Sequence, residues 1–212
     1  MEIIRYAELK AHPLRNGGGT TRELASHSNG AAPRDSAGQA AGWDWQVSIA
    51  ELAKAGDFPA FPGMDRVLTV IEGELLLLSV DGAEHPLEKY RPFRFSGDAA
   101  AAGALPTGDI RDLNVITRQG AFKGYTSIIE LSKKRAHPVF AGQLGILLQG
   151  QATVAPGTAG GGPAEAPEAA GATEAVLTAL GRYDAVVGSD TDTPEILGRG
   201  FLAVVSIDPV TD

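Results

Sequence analysis

The chain has 212 residues, a formal net charge of -8 and a sequence pI near 5.0, and it is 43% hydrophobic and 21% charged. Those are globular proportions, sufficient for one large core or two modest ones. The acidic balance excludes the clustered Lys and Arg of a nucleic-acid binder, and the absence of cysteine excludes disulfides, zinc-thiolate sites and Cys nucleophiles. Lys133-Lys134-Arg135 is too short a basic run to change this and reads as a solvated loop. Met1 to Tyr6 lacks the apolar run of a secretion signal, and no stretch approaches 18 apolar residues. A cytoplasmic chain with no nucleic-acid and no membrane partner is expected.

From the N-terminus, Glu8 to His12 and Arg22 to His27 each read as a turn or two of helix, and nothing longer is helical. Ser28 to Gly42 is Ala/Gly-rich and contains the turn dipeptide Asn29-Gly30, so it reads as a surface loop. Trp43 to Ala50 alternates: Trp43, Trp45, Val47 and Ile49 fall on one face, Asp44, Gln46 and Ser48 on the other. Both tryptophans are expected in the core. Arg66 to Ile71 and Glu74 to Val80 read as strands joined by a tight reversal at Glu72-Gly73. Asp81-Gly82 marks a second hairpin into Ala83 to Leu87. Further strands are expected at Pro92 to Phe95, Ala99 to Ala104, Arg111 to Thr117 and Thr126 to Leu131. Many short strands punctuated by Gly and Pro predict an all-β sandwich or barrel.

The two halves echo each other. VLTVIEGELL at 67–76 parallels LGILLQGQAT at 144–153, which aligns Gly73 with Gly150. Lys89-Tyr90 before Phe95-Ser96-Gly97-Asp98 parallels Arg182-Tyr183 before Val187-Gly188-Ser189-Asp190. Leu113 to Thr117 parallels Leu202 to Ser206. Three matches in one order predict an internal duplication, with halves at 1–131 and 132–212. The Ala/Gly/Pro-rich segment 155–173 reads as a loop inserted in the second half.

Three segments carry a family likeness. They are Asn16-Gly17-Gly18-Gly19-Thr20-Thr21-Arg22-Glu23; Trp45 to Ala50 with Phe58 to Arg66 (FPAFPGMDR); and Asp112 to Arg118. In order, and over nearly the whole chain, they resemble the HutD/Ves family of bacterial bicupins. The resemblance implies two cupin-type β-barrel halves (double-stranded β-helix, jelly roll) in one chain. It also implies an accessory role in histidine utilisation for some members and a stress association for others, without an established catalytic activity. Two positions depart from the family pattern: Leu14 stands where Trp is usual, and Gln46 where Arg is usual.

Cupin metal sites use a His-x-His pair, a carboxylate and a later His converging inside the barrel. His12, His27, His85 and His137 form no such pair, and Asp65-Arg66 occupies the turn where ligands would stand. No metal, no cofactor and no catalytic residue is assigned. Neither a nucleophile elbow, a P-loop nor a dinucleotide fingerprint is present. Gly17-Gly18-Gly19 lets the backbone pass close to another strand or to a ligand. Arg66 reads either as an ion-pair member, with Asp65 or Asp112, or as a guanidinium fork for a carboxylate. Asp112, Asn114, Ile116 and Arg118 share a strand face, which lies toward solvent or lines a polar lumen. The candidate ligand-binding residues are Asn16, Thr20, Trp45, Arg66, Asn114 and Arg118.

The favoured function is non-catalytic binding of a small anionic metabolite, an intermediate of histidine degradation such as N-formylglutamate, formiminoglutamate or urocanate. An enzyme using the same pocket, with Glu72 or Asp112 as general base, is the alternative. A protein-interaction module is the third reading, and a homodimer is the assembly left open.

Overall fold

The computed structural model describes residues 1–14, 17–28, 42–157 and 177–211. Asn16, the turn at Asn29-Gly30 and most of the two Ala/Gly-rich loops lie outside the described residues. The described residues form seventeen strands. The first ten are β1 (Glu2–Ile4), β2 (His12–Pro13), β3 (Gly19–His27), β4 (Trp45–Leu52), β5 (Gly56–Phe58), β6 (Met64–Glu72), β7 (Leu75–Val80), β8 (Ala83–Glu88), β9 (Phe93–Ser96) and β10 (Ala101–Ala104). They are followed by β11 (Ile110–Arg118), β12 (Phe122–Leu131), β13 (His137–Pro138), β14 (Gln143–Ala155), β15 (Thr178–Leu180), β16 (Ala185–Val187) and β17 (Glu195–Pro209). A single 3-10 turn at Tyr6–Glu8 is the only helical element among the described residues. None of their helices is long and apolar enough to cross a membrane.

Contacts divide the chain into two compact units. One comprises Met1–Ala7 with Ile128–Val204, the other Glu8–Ser127 with Val205–Asp212. A cut at one point, such as 131, does not describe this arrangement. The N-terminal strand β1 pairs with β16, Ile3 opposite Val186, so the first residues belong with the later part of the chain.

In the unit Glu8–Ser127, strands run β2-β3-β4-β11-β6-β9 in one sheet and β5-β10-β7-β8 in another. Leu52, Leu68, Val70, Leu76, Leu78, Leu87 and Phe95 form a buried aliphatic and aromatic cluster there. The other unit holds β1, β16, β14, β13 and β15 with the later part of β12 and the earlier part of β17, in a sheet ordered β1-β16-β14-β17-β12 with β13 on β17 and β15 on β14. Its core gathers Val139, Leu147, Val154, Val186, Ile196 and Leu202.

Several local expectations are corrected. Arg22 to His27 is strand rather than helix, because β3 pairs with β4 from Gly19↔Leu52 to His27↔Trp45 and cross-strand packing overrides weak helical preference. Glu8 to His12 holds only the end of the 3-10 turn and the start of β2. Glu72-Gly73 is not a hairpin. β6 pairs with β11 and β9, whereas β7 pairs with β10 and β8, so Gly73 (φ +84°) carries the chain from one sheet to the other. Asp81-Gly82 does close the β7–β8 hairpin, both residues at positive φ. Gly150, aligned with Gly73 in the sequence, differs from it: β14 runs through Gly150, whose backbone closely approaches Arg199 and Gly200. Trp43 and Trp45 are half-buried rather than core, Trp43 packing on Phe61 and Trp45 on His27.

The internal echoes acquire a backbone basis. Tyr90 and Tyr183 both adopt the left-handed region, at φ 66° and 69°. The Tyr90 N–H donates to Val70 O at 2.8 Å, and the Tyr183 N–H to Leu147 O at 2.6 Å. A cation covers each ring: Lys89 at 4.9 Å from the Tyr90 centroid, Arg182 at 4.7 Å from that of Tyr183. The equivalent glycines are Gly97 and Gly188, one step out of the alignment read from the sequence. Gly97 N–H donates to Met64 O and Gly188 N–H to Gln143 O, each after a matching turn at Phe61-Pro62-Gly63-Met64 or Phe140-Ala141-Gly142-Gln143. A Cβ on Gly97 would stand 2.5 Å from Phe61 O and 2.8 Å from Met64 O. Gly97→Ala is therefore expected to cost about 2 kcal/mol through overpacking. Urea unfolding tests this: a variant within roughly 0.5 kcal/mol of wild type would mean that the turn yields freely.

Candidate functional site: a buried arginine and carboxylate in the first barrel

Strands β4, β11 and β6 lie side by side, and their register builds the site. Asp112 pairs with Ala50, Asn114 with Ser48 and Ile116 with Gln46; on the other edge Ile116 faces Arg66. Period-two alternation then puts Asp112, Asn114 and Ile116 on the same face as Gln46, Ser48, Ala50 and Arg66. That polar face lines a cavity of about 110 Å³ instead of meeting solvent. Thr21 from β3, Leu52 from β4, Leu14, and Phe58, Pro59 and Phe61 from the approach to β6 complete the lining.

Arg66 is 3% exposed and Asp112 is wholly buried. Asn114 stands between them: its Oδ1 accepts from Arg66 Nη2 at 3.0 Å, and its Nδ2 donates to Asp112 Oδ1 at 2.6 Å. Arg66 Nη1 donates to Pro59 O at 3.3 Å. The rings of Phe58, Phe61 and Phe95 surround the guanidinium, with centroids 5.1–5.4 Å from Cζ. Such faces stabilise a desolvated cation. Burial lowers the Arg66 pKa to about 10, opposed by the negative charge of Asp112, so Arg66 remains a cation at neutral pH. Burial raises the Asp112 pKa to about 7, opposed in turn by Arg66, a backbone hydrogen bond from Ala50 and the Asn114 amide. Two polar atoms of this set, Arg66 Nε and Asp112 Oδ2, are buried without a hydrogen-bond partner among the described residues. Buried polar atoms without partners are uncommon, and in a cavity wall they mark what a ligand would satisfy.

Of the residues singled out in the sequence, Arg66 and Asn114 come together here. Thr20, Trp45 and Arg118 do not line this cavity. Thr20 faces the opposite way from Thr21, into a separate cavity of about 250 Å³ that also holds Glu51, Glu72 and Arg111. Arg111 there bridges Glu51 at 3.1 Å and Glu72 at 2.5 Å, and Arg22 adds a 3.1 Å pair with Glu51. Glu72 is thus engaged away from Arg66. Trp45 lies on the Val47 and Ile49 side of β4 and stacks on His27 at 5.9 Å. Arg118 pairs with Asp44 at 2.6 Å. Among the described residues no three His, Asp or Glu groups converge as a metal site would require. The glycine run serves strand approach: a Cβ on Gly19 would collide with the Glu51 backbone, and Ala53 N–H donates to Gly18 O at 2.9 Å.

Thr21, Gln46 and Ser48 line the cavity although none is among the candidate ligand-binding residues; Gln46 and Ser48 lie on the polar face of the WDWQVSIA alternation. The aromatic pair in FPAFPG was also a usable signal, since both rings cover Arg66.

A profile of the HutD family matches residues 6–204. The chain belongs to the HutD family. Protein Ves of Citrobacter koseri is 34% identical over 132 residues, 61% of this chain and 64% of its own length. The "Uncharacterized 21.2 kDa protein in hutC 3'region" of Pseudomonas putida is 35% identical over 117 residues, 55% and 57% respectively. The chain thus matches less than two thirds of the length of these curated relatives. HutD from Pseudomonas fluorescens SBW25, solved in a formate condition, superposes with a TM-score of 0.71 at 25% identity over 99% of both chains. A conserved protein of unknown function from Pseudomonas aeruginosa PAO1 gives 0.74 at 23%, again over 99% of both. Vicilin from Capsicum annuum gives 0.60 at 9%, covering 97% of this chain and 85% of that one, a likeness of fold alone. The HutD-family chain is all-β, and its fold is a bicupin.

Proposed function

We propose that this HutD-family chain binds a small anionic metabolite in the Arg66 cavity without transforming it, in connection with histidine degradation. The observation that carries the reading is a buried cation in the wall of a cavity, whose Nε–H has no hydrogen-bond partner among the described residues. A guanidinium held among three rings and an amide is already ordered, so a carboxylate meets a prepared donor and little entropy is lost on binding. The cavity, about 110 Å³, offers Arg66 as the cation in a wall otherwise built largely of Phe58, Phe61 and aliphatic side chains, a setting for the charged end of N-formylglutamate, formiminoglutamate or urocanate.

Two further points support the reading. Leu14 and Gln46, the positions that depart from the family pattern, both line this cavity. Among the described residues, the position in the other unit that matches Arg66 carries no cation. Matching the two Phe-x-Gly turns places Gly145 where Arg66 stands, and there Ile196, Val139 and Leu202 fill the space. The link to histidine degradation rests on the family and on the name of the Pseudomonas putida relative.

Thermal unfolding against urocanate, formiminoglutamate, N-formylglutamate, formate, glutamate, sugars and divalent metals tests the reading. A ligand at about 100 times its Kd adds roughly 2.7 kcal/mol, a rise of several degrees at roughly 2–4 °C per kcal/mol. A shift with a histidine-derived acid is expected. A shift with metals alone would sink the anion reading, and silence across the panel would favour a protein-interaction module.

A further inference from the structure

We propose that an anionic ligand enters the Arg66 cavity together with one proton, which is held between the ligand's carboxylate and Asp112. The inference rests on the binding reading above and concerns how that binding is controlled. Thr21 on β3, Gln46, Ser48, Ala50 and Leu52 on β4, Arg66 on β6, Asn114 and Ile116 on β11, and Leu14, Phe58, Pro59 and Phe61 line the cavity with Asp112. Between them they carry one charge, that of Arg66. A bare carboxylate entering beside ionised Asp112 would leave two anions facing one cation in a water-poor space. Burying the uncompensated charge is costly, and closely placed carboxylates relieve it by sharing a proton.

The orphaned atoms point the same way. Asn114 is fixed by its two hydrogen bonds and engages Asp112 Oδ1, whereas Oδ2 is buried without a hydrogen-bond partner among the described residues. An ionised Oδ2 offers only an acceptor, and a ligand carboxylate also offers only acceptors. The two can bond only if a proton lies between them. Protonated at Oδ2, Asp112 donates to one ligand oxygen while Arg66 Nε–H donates to the other, which satisfies both orphans at once. The proton comes from solvent, and no covalent bond other than its own O–H is made or broken. Burial already holds the Asp112 carboxyl at about 7 in the free site, so the proton is available near neutrality.

Calorimetric titration with formate and acetate from pH 6 to 9 is the test, because both probes stay ionised throughout. Run at pH 8 in two buffers of different ionisation enthalpy, wild-type protein should take up close to one proton per ligand. Its affinity should fall about tenfold per pH unit above 7. Asp112→Asn supplies an N–H donor without titrating, so the slope should vanish and the variant should out-bind wild type by roughly 100-fold at pH 9. Flat wild-type affinity without proton uptake would overturn the proposal and leave the binding reading standing. No binding of either probe at any pH would overturn both. Should the variant fail to fold, the two-buffer measurement on wild type decides alone.

Discussion

Arg66→Met is expected to abolish formate binding and leave the protein folded, whereas Arg66→Ala should lose binding and stability together. The difference follows from what surrounds the side chain. Its guanidinium is packed by Phe58, Phe61 and Phe95 and bonded to Asn114 and Pro59. Methionine replaces the aliphatic stem and puts a polarizable sulfur among the rings. Losing the cation leaves Asp112 buried, but a carboxyl already raised to about 7 takes up a proton at small cost. The usual penalty of an orphaned buried charge is then largely avoided, and the methionine variant should stay within about 2 kcal/mol of wild type. Alanine leaves a void between three rings, which costs about 3 kcal/mol or more. Both variants lose the charged hydrogen bond to the ligand, worth about 1.5–3 kcal/mol, together with its charge complement, so affinity should drop at least roughly 100-fold. Urea unfolding and formate calorimetry on the two variants check this. A methionine variant that unfolds would make Arg66 a structural ion. One that binds as wild type does would remove Arg66 from the site.

The fold was more legible than the site, and the reason lies in what each depends on. Strands announce themselves through local alternation, and the Leu75–Val80 and Ala83–Glu88 hairpin is readable from Asp81-Gly82 alone. Which sheet a strand joins is not local. Glu72-Gly73 has the chemistry of a hairpin turn, yet pairing to β10 and β8 takes β7 into the other sheet. Arg22 to His27 fails for the same reason, its conformation being set by β4. For the site, Arg66 and Asn114 were visible as a cation after a turn and a polar residue on an apolar strand. Whether the polar face of Asp112 and Asn114 looks inward could not be read from β11, because alternation fixes two faces without naming them. The register with Ser48 and Arg66 names them. Thr20 and Trp45 illustrate the cost of a one-residue step: Thr21 and Gln46 line the cavity, and their neighbours point elsewhere.

The second large effect concerns stability against pH. Most carboxylates in folded proteins have lowered pKa values and stabilise the native state as pH rises. Asp112 has the opposite sign. Its folded-state value, raised from 3.8 to about 7 by burial, means that the native state binds a proton which the unfolded chain has released. Its contribution is fully present below the unfolded value and is lost as pH rises through the folded one. Between pH 5 and 8 wild type should therefore lose about 3 kcal/mol relative to Asp112→Asn, which cannot titrate. The absolute stability of the variant is a separate quantity, since Arg66 loses its counter-charge at every pH where Asp112 would be ionised; only the pH-dependent difference isolates the proton. Urea midpoints for both proteins at pH 5, 6, 7 and 8 give that difference directly. A difference that stays constant across the series would place the Asp112 transition outside the range, and a carboxylate ionised throughout would then be the resident partner of Arg66. In that case the cavity is electrically neutral at working pH, and a neutral amide or hydroxyl group fits it better than an acid.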